Sequence, residues 1–190
     1  MQARTFARLV KGQIRETIGP RGDEDPLAHY LSVVADKTGS LIATSAHFGA
    51  TMSRASDDIV VALTEFGERV GVAFQLSDDI LDIASDSGDS GKTPGTDLRE
   101  GVPTLPTLLA RRSSDPADAE LLGLLSGPIA DDADVARTVE LLRAHPAMDE
   151  ARAHVQAEAD AARALLDKLP DTPAGAALNA ICDTLATRLS

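Results

Sequence analysis

The chain has 190 residues, 43% hydrophobic and 25% charged, enough apolar material for one sizeable core or two small ones. With 30 acidic against 18 basic residues the formal net charge is -12, which makes the chain a poor candidate for non-specific nucleic-acid binding, which needs a basic face, and disfavours anionic membrane surfaces. One cysteine, Cys182, excludes an internal disulfide and any cysteine-cluster metal site. No apolar run approaches the roughly 18 residues of a spanning helix, so no stable membrane insertion is expected. Met1-Gln2-Ala3-Arg4 has no signal-peptide pattern, and a cytoplasmic protein is the default.

Helical periodicity is the one strong local signal, since β-branched alternation is scarce. A first helix is predicted over 2–18, stopped by Gly19-Pro20-Arg21-Gly22. Asp25 is a good N-cap and Pro26 a good first helical residue, so a second helix opens there and runs to about Lys37. Gly39 is expected to bend or break it, with 41–52 continuing as helix. Ser56 caps a long helix with Asp57 and Asp58 in its first turn, where the macrodipole favours negative charge. That helix lasts to 83 or 84, and a Gly/Ser/Asp/Pro loop is expected over 85–101. Pro103 starts another helix, followed by helices near 116–126, 132–144, 147–168 and 173–189. The expected fold class is all-α, with residues 1–190 as a single domain.

The informative stretch is Phe74-Gln75-Leu76-Ser77-Asp78-Asp79-Ile80-Leu81-Asp82. At helical spacing Gln75, Asp78, Asp79 and Asp82 share an arc of roughly 100°, while apolar residues from Val70 to Ile83 spread over roughly 200°. Such a helix is expected to be buried on most sides, with one acidic strip facing a cavity or cleft. Like charges at this spacing repel, more so where water is excluded, and three such carboxylates need cations. Carboxylate oxygens are hard ligands for Mg²⁺ or Ca²⁺, and Mg²⁺ takes its remaining ligands from water and phosphate. The alternative is that these aspartates line a solvated face.

Two lysines accompany the strip. Lys92, in Ser90-Gly91-Lys92-Thr93, is flanked by glycine and could reach back over the helix end toward a metal-held diphosphate; otherwise it is a solvated loop lysine. Lys37, in Lys37-Thr38-Gly39 at the expected helix break, is a compact charge suited to phosphate, or else pairs with a helix C-terminus. Gly91-Lys92-Thr93 is no phosphate-binding P-loop, because Asp86 stands where its earlier glycine belongs. His29, His47, His145 and His154 show no metal-ligand spacing.

Together these residues resemble the trans-prenyltransferases, the all-helical polyprenyl diphosphate synthases. The Phe74–Asp82 stretch resembles their second aspartate-rich motif. Gly91-Lys92 through Asp97-Leu98-Arg99-Glu100-Gly101, then Thr104-Leu105-Pro106, resembles the segment that follows it, and Lys37-Thr38 the upstream lysine-threonine pair. The resemblance covers roughly residues 1–110 and implies the C-terminal part of the isoprenoid synthase helical bundle. It also implies Mg²⁺ ions bridging Asp78, Asp79 and Asp82 to an allylic diphosphate, with Lys37 and Lys92 adding positive charge as the diphosphate leaves. Isopentenyl diphosphate would attack the allylic cation. Gln75 and Thr38 would hold the allylic end, and Phe74 would face the isoprenoid chain.

The chain departs from the family pattern at Val102, where a basic residue often stands, and at Asp57-Asp58, which lack a third carboxylate at Val61 or Leu63 to make a first aspartate-rich motif. The expectation is therefore a C-terminal portion with an incomplete site, forming a homodimer or associating with a missing N-terminal half. Two other readings remain at this point: a non-catalytic or regulatory subunit of a heteromeric prenyltransferase, which would not need the three aspartates, and a class I terpene cyclase, which would release hydrocarbon without isopentenyl diphosphate.

Overall fold

The computed structural model describes residues 1–85 and 94–188. All regular structure among them is helical: α1 (Gln2–Ile18), α2 (Pro26–Val34), a π-helical turn (Ala35–Gly39), α3 (Ser40–Met52), α4 (Asp57–Ala84), α5 (Thr96–Glu100), α6 (Leu105–Ala110), a 3₁₀ turn (Pro116–Asp118), α7 (Ala119–Leu124), α8 (Asp132–Ala144), α9 (Ala147–Leu166) and α10 (Pro173–Thr187). No described helix is long and apolar enough to cross a membrane. The fold is all-α, as expected from the periodicity.

Local chemistry explains most of the boundaries. The Asp25 carboxylate accepts the Ala28 N–H at 3.1 Å and starts α2. Asp131 likewise accepts from Ala133 and Asp134 at the head of α8, and Thr172 from Gly175 at the head of α10. Three features differ from the sequence reading. Gly39 does not break the chain: it is right-handed helical at φ −54°, ψ −46°, and the irregularity is the π turn that it ends. The predicted loop over 85–101 contains α5, whose ends are set by Gly95 and Gly101 in the left-handed region. The helix expected from Pro103 begins instead at Leu105, with Thr104 as N-cap, because the Thr107 hydroxyl accepts the Thr104 N–H at 3.0 Å.

The chain divides into two compact units, Met1–Gln75 with His154–Ser190, and Leu76–Ala153. In the first, α4 lies against the π turn and α3 at backbone contact. A Cβ on Gly71 would stand 2.8 Å from Gly39 Cα, and one on Gly67 2.8 Å from the Ile42 carbonyl oxygen. The first unit's core joins Phe66, Ala162, Leu166 and Cys182, with Val70 and Leu178 packed against them. In the second unit Leu76, Ile80 and Ile83 of α4 are buried with Leu105, Leu142 and Met148. There the Arg143 guanidinium of α8 closes the end of α4, donating to the Ile83 and Ser85 carbonyls at 2.7 Å each. A cation at a helix C-terminus also complements the macrodipole.

Candidate functional site

Helix α4 is uninterrupted from Asp57 to Ala84, so Phe74, Gln75, Asp78, Asp79 and Asp82 all lie on one helix, as the wheel requires. Most of the broad apolar arc is buried: Val72, Ala73, Leu76, Ile80 and Ile83 are each 9% exposed or less, Val70 and Leu81 are partly buried, and Phe74 is exposed. The aspartates are not equivalent. Asp79 is only 5% exposed, and its Oδ2 accepts the Leu105 N–H at 3.3 Å. It thus satisfies a donor at the buried N-terminus of α6, where all six residues are buried. Asp82 is half-buried and serves α5: Oδ1 accepts the Thr96 N–H at 3.3 Å, Oδ2 the Asp97 N–H at 3.4 Å, and its carbonyl the Gly95 N–H at 3.0 Å. Asp78 is half-buried. Two of the three acids therefore place the segment that follows them, a role the sequence reading did not include.

A divalent cation is tested by this donor set. Among the described residues no group of three His, Cys, Asp or Glu closes around an ion. What α4 offers is carboxylate oxygen only, at two half-buried positions, Asp78 and Asp82, four residues apart. Such a set suits a hard divalent cation that keeps water or other oxygen donors as its remaining ligands.

In the first unit the π turn carries Lys37 and Thr38. The Thr38 hydroxyl donates to Gln75 Oε1 at 3.1 Å, which joins two residues assigned together by the sequence resemblance. Lys37 does not pair with a helix end. Its ammonium donates to Glu16 Oε2 on α1 at 2.6 Å. Phe74 is 43% exposed, with the Arg188 guanidinium 5.2 Å from its ring centroid, a cation–π arrangement. Lys92 falls outside the described residues.

Sequence reasoning missed Arg8. Its Nε donates to Asp36 Oδ1 at 2.9 Å and its Nη2 to Glu68 Oε1 at 2.8 Å, which ties α1 to the π turn and α4. The two carboxylates hold the guanidinium proton more tightly than usual, chiefly through the Glu68 hydrogen bond. Only an i, i+4 pattern of arginines on α1 (Arg4, Arg8) hinted at it.

The sequence model of the polyprenyl synthetase family matches residues 1–142. The chain is 49% identical over 186 residues to the nonaprenyl diphosphate synthase of Mycobacterium tuberculosis (strain ATCC 25618 / H37Rv), covering 98% of this chain and 56% of that protein. It is 34% identical over 168 residues to heptaprenyl diphosphate synthase component 2 of Geobacillus stearothermophilus, covering 88% of this chain and 52% of that protein. The geranylgeranyl pyrophosphate synthase of Corynebacterium glutamicum, whose crystal structure holds calcium and isoprenyl diphosphate, superposes with a TM-score of 0.92 at 45% identity, over 99% of this chain and 58% of that one. The chain thus spans about half the length of the curated relatives it matches. It belongs to the polyprenyl synthetase family.

Proposed function

We propose that the chain carries one wall of a trans-polyprenyl diphosphate synthase site, which condenses isopentenyl diphosphate with an allylic diphosphate and needs Mg²⁺. The observation that carries this reading is the acidic face of α4: a buried apolar helix that keeps carboxylates at Asp78 and Asp82 and anchors the following segment through Asp79 and Asp82. Family membership and the calcium and isoprenyl diphosphate held by the C. glutamicum enzyme support it.

Asp78, Asp79 and Asp82 would hold Mg²⁺ beside the diphosphate. Mg²⁺, when bound, supplies charge neutralisation for the departing diphosphate. Lys37 and Lys92 would add positive charge to the same group, an electrostatic stabilisation of the departing diphosphate. Thr38 and Gln75, already hydrogen-bonded to each other, orient the allylic end, and Phe74 offers its ring face to the isoprenoid chain. The reading carries a cytoplasmic location and association through the apolar side of α1, either between copies or with the part of longer relatives that this chain does not match.

The test is calorimetric titration of the full chain with an allylic diphosphate, with and without Mg²⁺, beside an elongation assay with isopentenyl diphosphate. We expect weak Mg²⁺-dependent binding, reduced about tenfold or more by Asp78→Ala, and no elongation by this chain, which has no first aspartate-rich motif. Binding indifferent to Mg²⁺ and to Asp78→Ala would falsify the metal assignment; robust elongation by the bare chain would refute the incomplete site. Activity of a reconstituted complex left unchanged by Asp78→Ala would favour the non-catalytic subunit.

A further inference from the structure

Glu16 stands one helical turn beyond Gly12, and Gly12 is where α1 comes against the π turn. A Cβ at residue 12 would sit 3.0 Å from Asp36 Cβ and 3.0 Å from Lys37 Cγ, so the bare glycine lets the Lys37 stem lie along α1. The carboxylate four residues on then meets the ammonium, Lys37 Nζ to Glu16 Oε2, at 2.6 Å. Gln13 Nε2 donates to the same oxygen at 2.9 Å and aims it. The neighbouring acids are committed elsewhere, Asp36 and Glu68 both to Arg8. The pair is open to solvent, with side chains 31% and 34% exposed.

From this geometry we infer that Glu16 is a placeholder anion for Lys37. It holds the ammonium extended when no diphosphate is present and yields it to a diphosphate oxygen. The inference rests on the proposed function, in which Lys37 contacts the diphosphate. Glu16 is then a positioning residue that acts through Lys37 and opposes diphosphate binding. An ion pair of this exposure shifts an equilibrium by about fivefold at most, weak enough for a multiply charged anion to displace.

The experiment uses the full chain with Mg²⁺ and inorganic pyrophosphate as the probe, read by calorimetry. A second readout is labelling of Lys37 by an amine-acylating reagent, followed by peptide mass spectrometry, with helical content checked by circular dichroism. In Glu16→Gln, Lys37 is expected to label a few-fold faster without ligand, and pyrophosphate to bind about two- to fivefold tighter. Glu16→Asp, which keeps the charge and shortens the reach, moves both in the same direction. Lys37→Met weakens binding and abolishes any gain from Glu16→Gln. Unchanged Lys37 labelling, or binding no tighter in Glu16→Gln while Lys37→Met still weakens it, overturns the inference and leaves the proposed function standing. Binding indifferent to Lys37→Met removes Lys37 from the diphosphate site and the inference with it.

Discussion

At the scale of single residues, Asp79 has a structural task that its motif conceals. It is buried and accepts the Leu105 N–H at the head of a helix with no exposed residue. Removing the acceptor leaves a buried donor unpaired, which costs about 1–3 kcal/mol. Asp79→Ala is therefore expected to lower the unfolding free energy by that amount, read as a lower urea midpoint at unchanged slope, without any ligand present. Asp79→Asn keeps a carbonyl acceptor and recovers most of it. Equal loss in both variants would mean that charge, not the cap, is what the site needs. Asp118 gives a pH prediction in the second unit. The Ser113 hydroxyl, then the His145 imidazole, hold its carboxyl below the usual carboxylate range. Its stabilisation is thus fully present above the unfolded value of about 3.9 and is lost as pH falls through the lower folded value. Asp118→Asn should flatten the fall in urea midpoint between about pH 5 and pH 3 relative to the unmodified chain; identical falls would show that Asp118 does not contribute.

At the scale of elements, the crossing of α4 over the π turn and α3 is set by absent side chains. A methyl at residue 71 would sit 2.8 Å from Gly39 Cα, where the obstacle is backbone and cannot rotate away. Overpacking of this kind costs about 1–3 kcal/mol, so Gly71→Ala should lower thermal stability, whereas Gly49→Ala, which meets nothing within 4 Å in α3, should not. Comparable melting temperatures in the two variants would contradict the close crossing. This region also shows what was legible in the sequence. The bounds of α1 and α8 and the start of α2 were readable because caps and periodicity are local signals carried by Asp25, Asp131 and the Gly19-Pro20 stop. Gly39 was expected to bend or break the helix, where the chain instead runs on through a π turn, because nothing local distinguishes a glycine that ends a helix from one that admits Gly71 of another helix. The α5 turn was hidden in a polar, glycine-rich run because its N-terminal donors are met by Asp82, fourteen and fifteen residues earlier in the chain. The aspartate strip was legible as a face of α4; its use as a set of caps was not, since the partners are distant in sequence.

At the scale of the whole molecule, α1 is an amphipathic helix turned outward. The side against its neighbours holds Thr5, Arg8, Gly12 and Arg15, with Thr5 and Gly12 buried. The side away from them carries Phe6, Val10, Ile14 and Ile18 at i, i+4 spacing, exposed at 69%, 37%, 52% and 49%. A helix normally buries its apolar stripe, and full burial of such side chains contributes about 1.5–3 kcal/mol each. An uncovered stripe of this kind favours association. Sedimentation velocity over a range of concentrations should therefore show the chain associating, and Phe6→Glu combined with Ile14→Glu should return it to monomer with its helical signal intact, because neither residue is in the buried side of α1. A monomer at every concentration would mean that the stripe is tolerated in water. Association that persists in the double variant would move the interface elsewhere. If instead association appears only when a polypeptide bearing the remaining half of a longer relative is added, the stripe is covered by that half and not by a second copy.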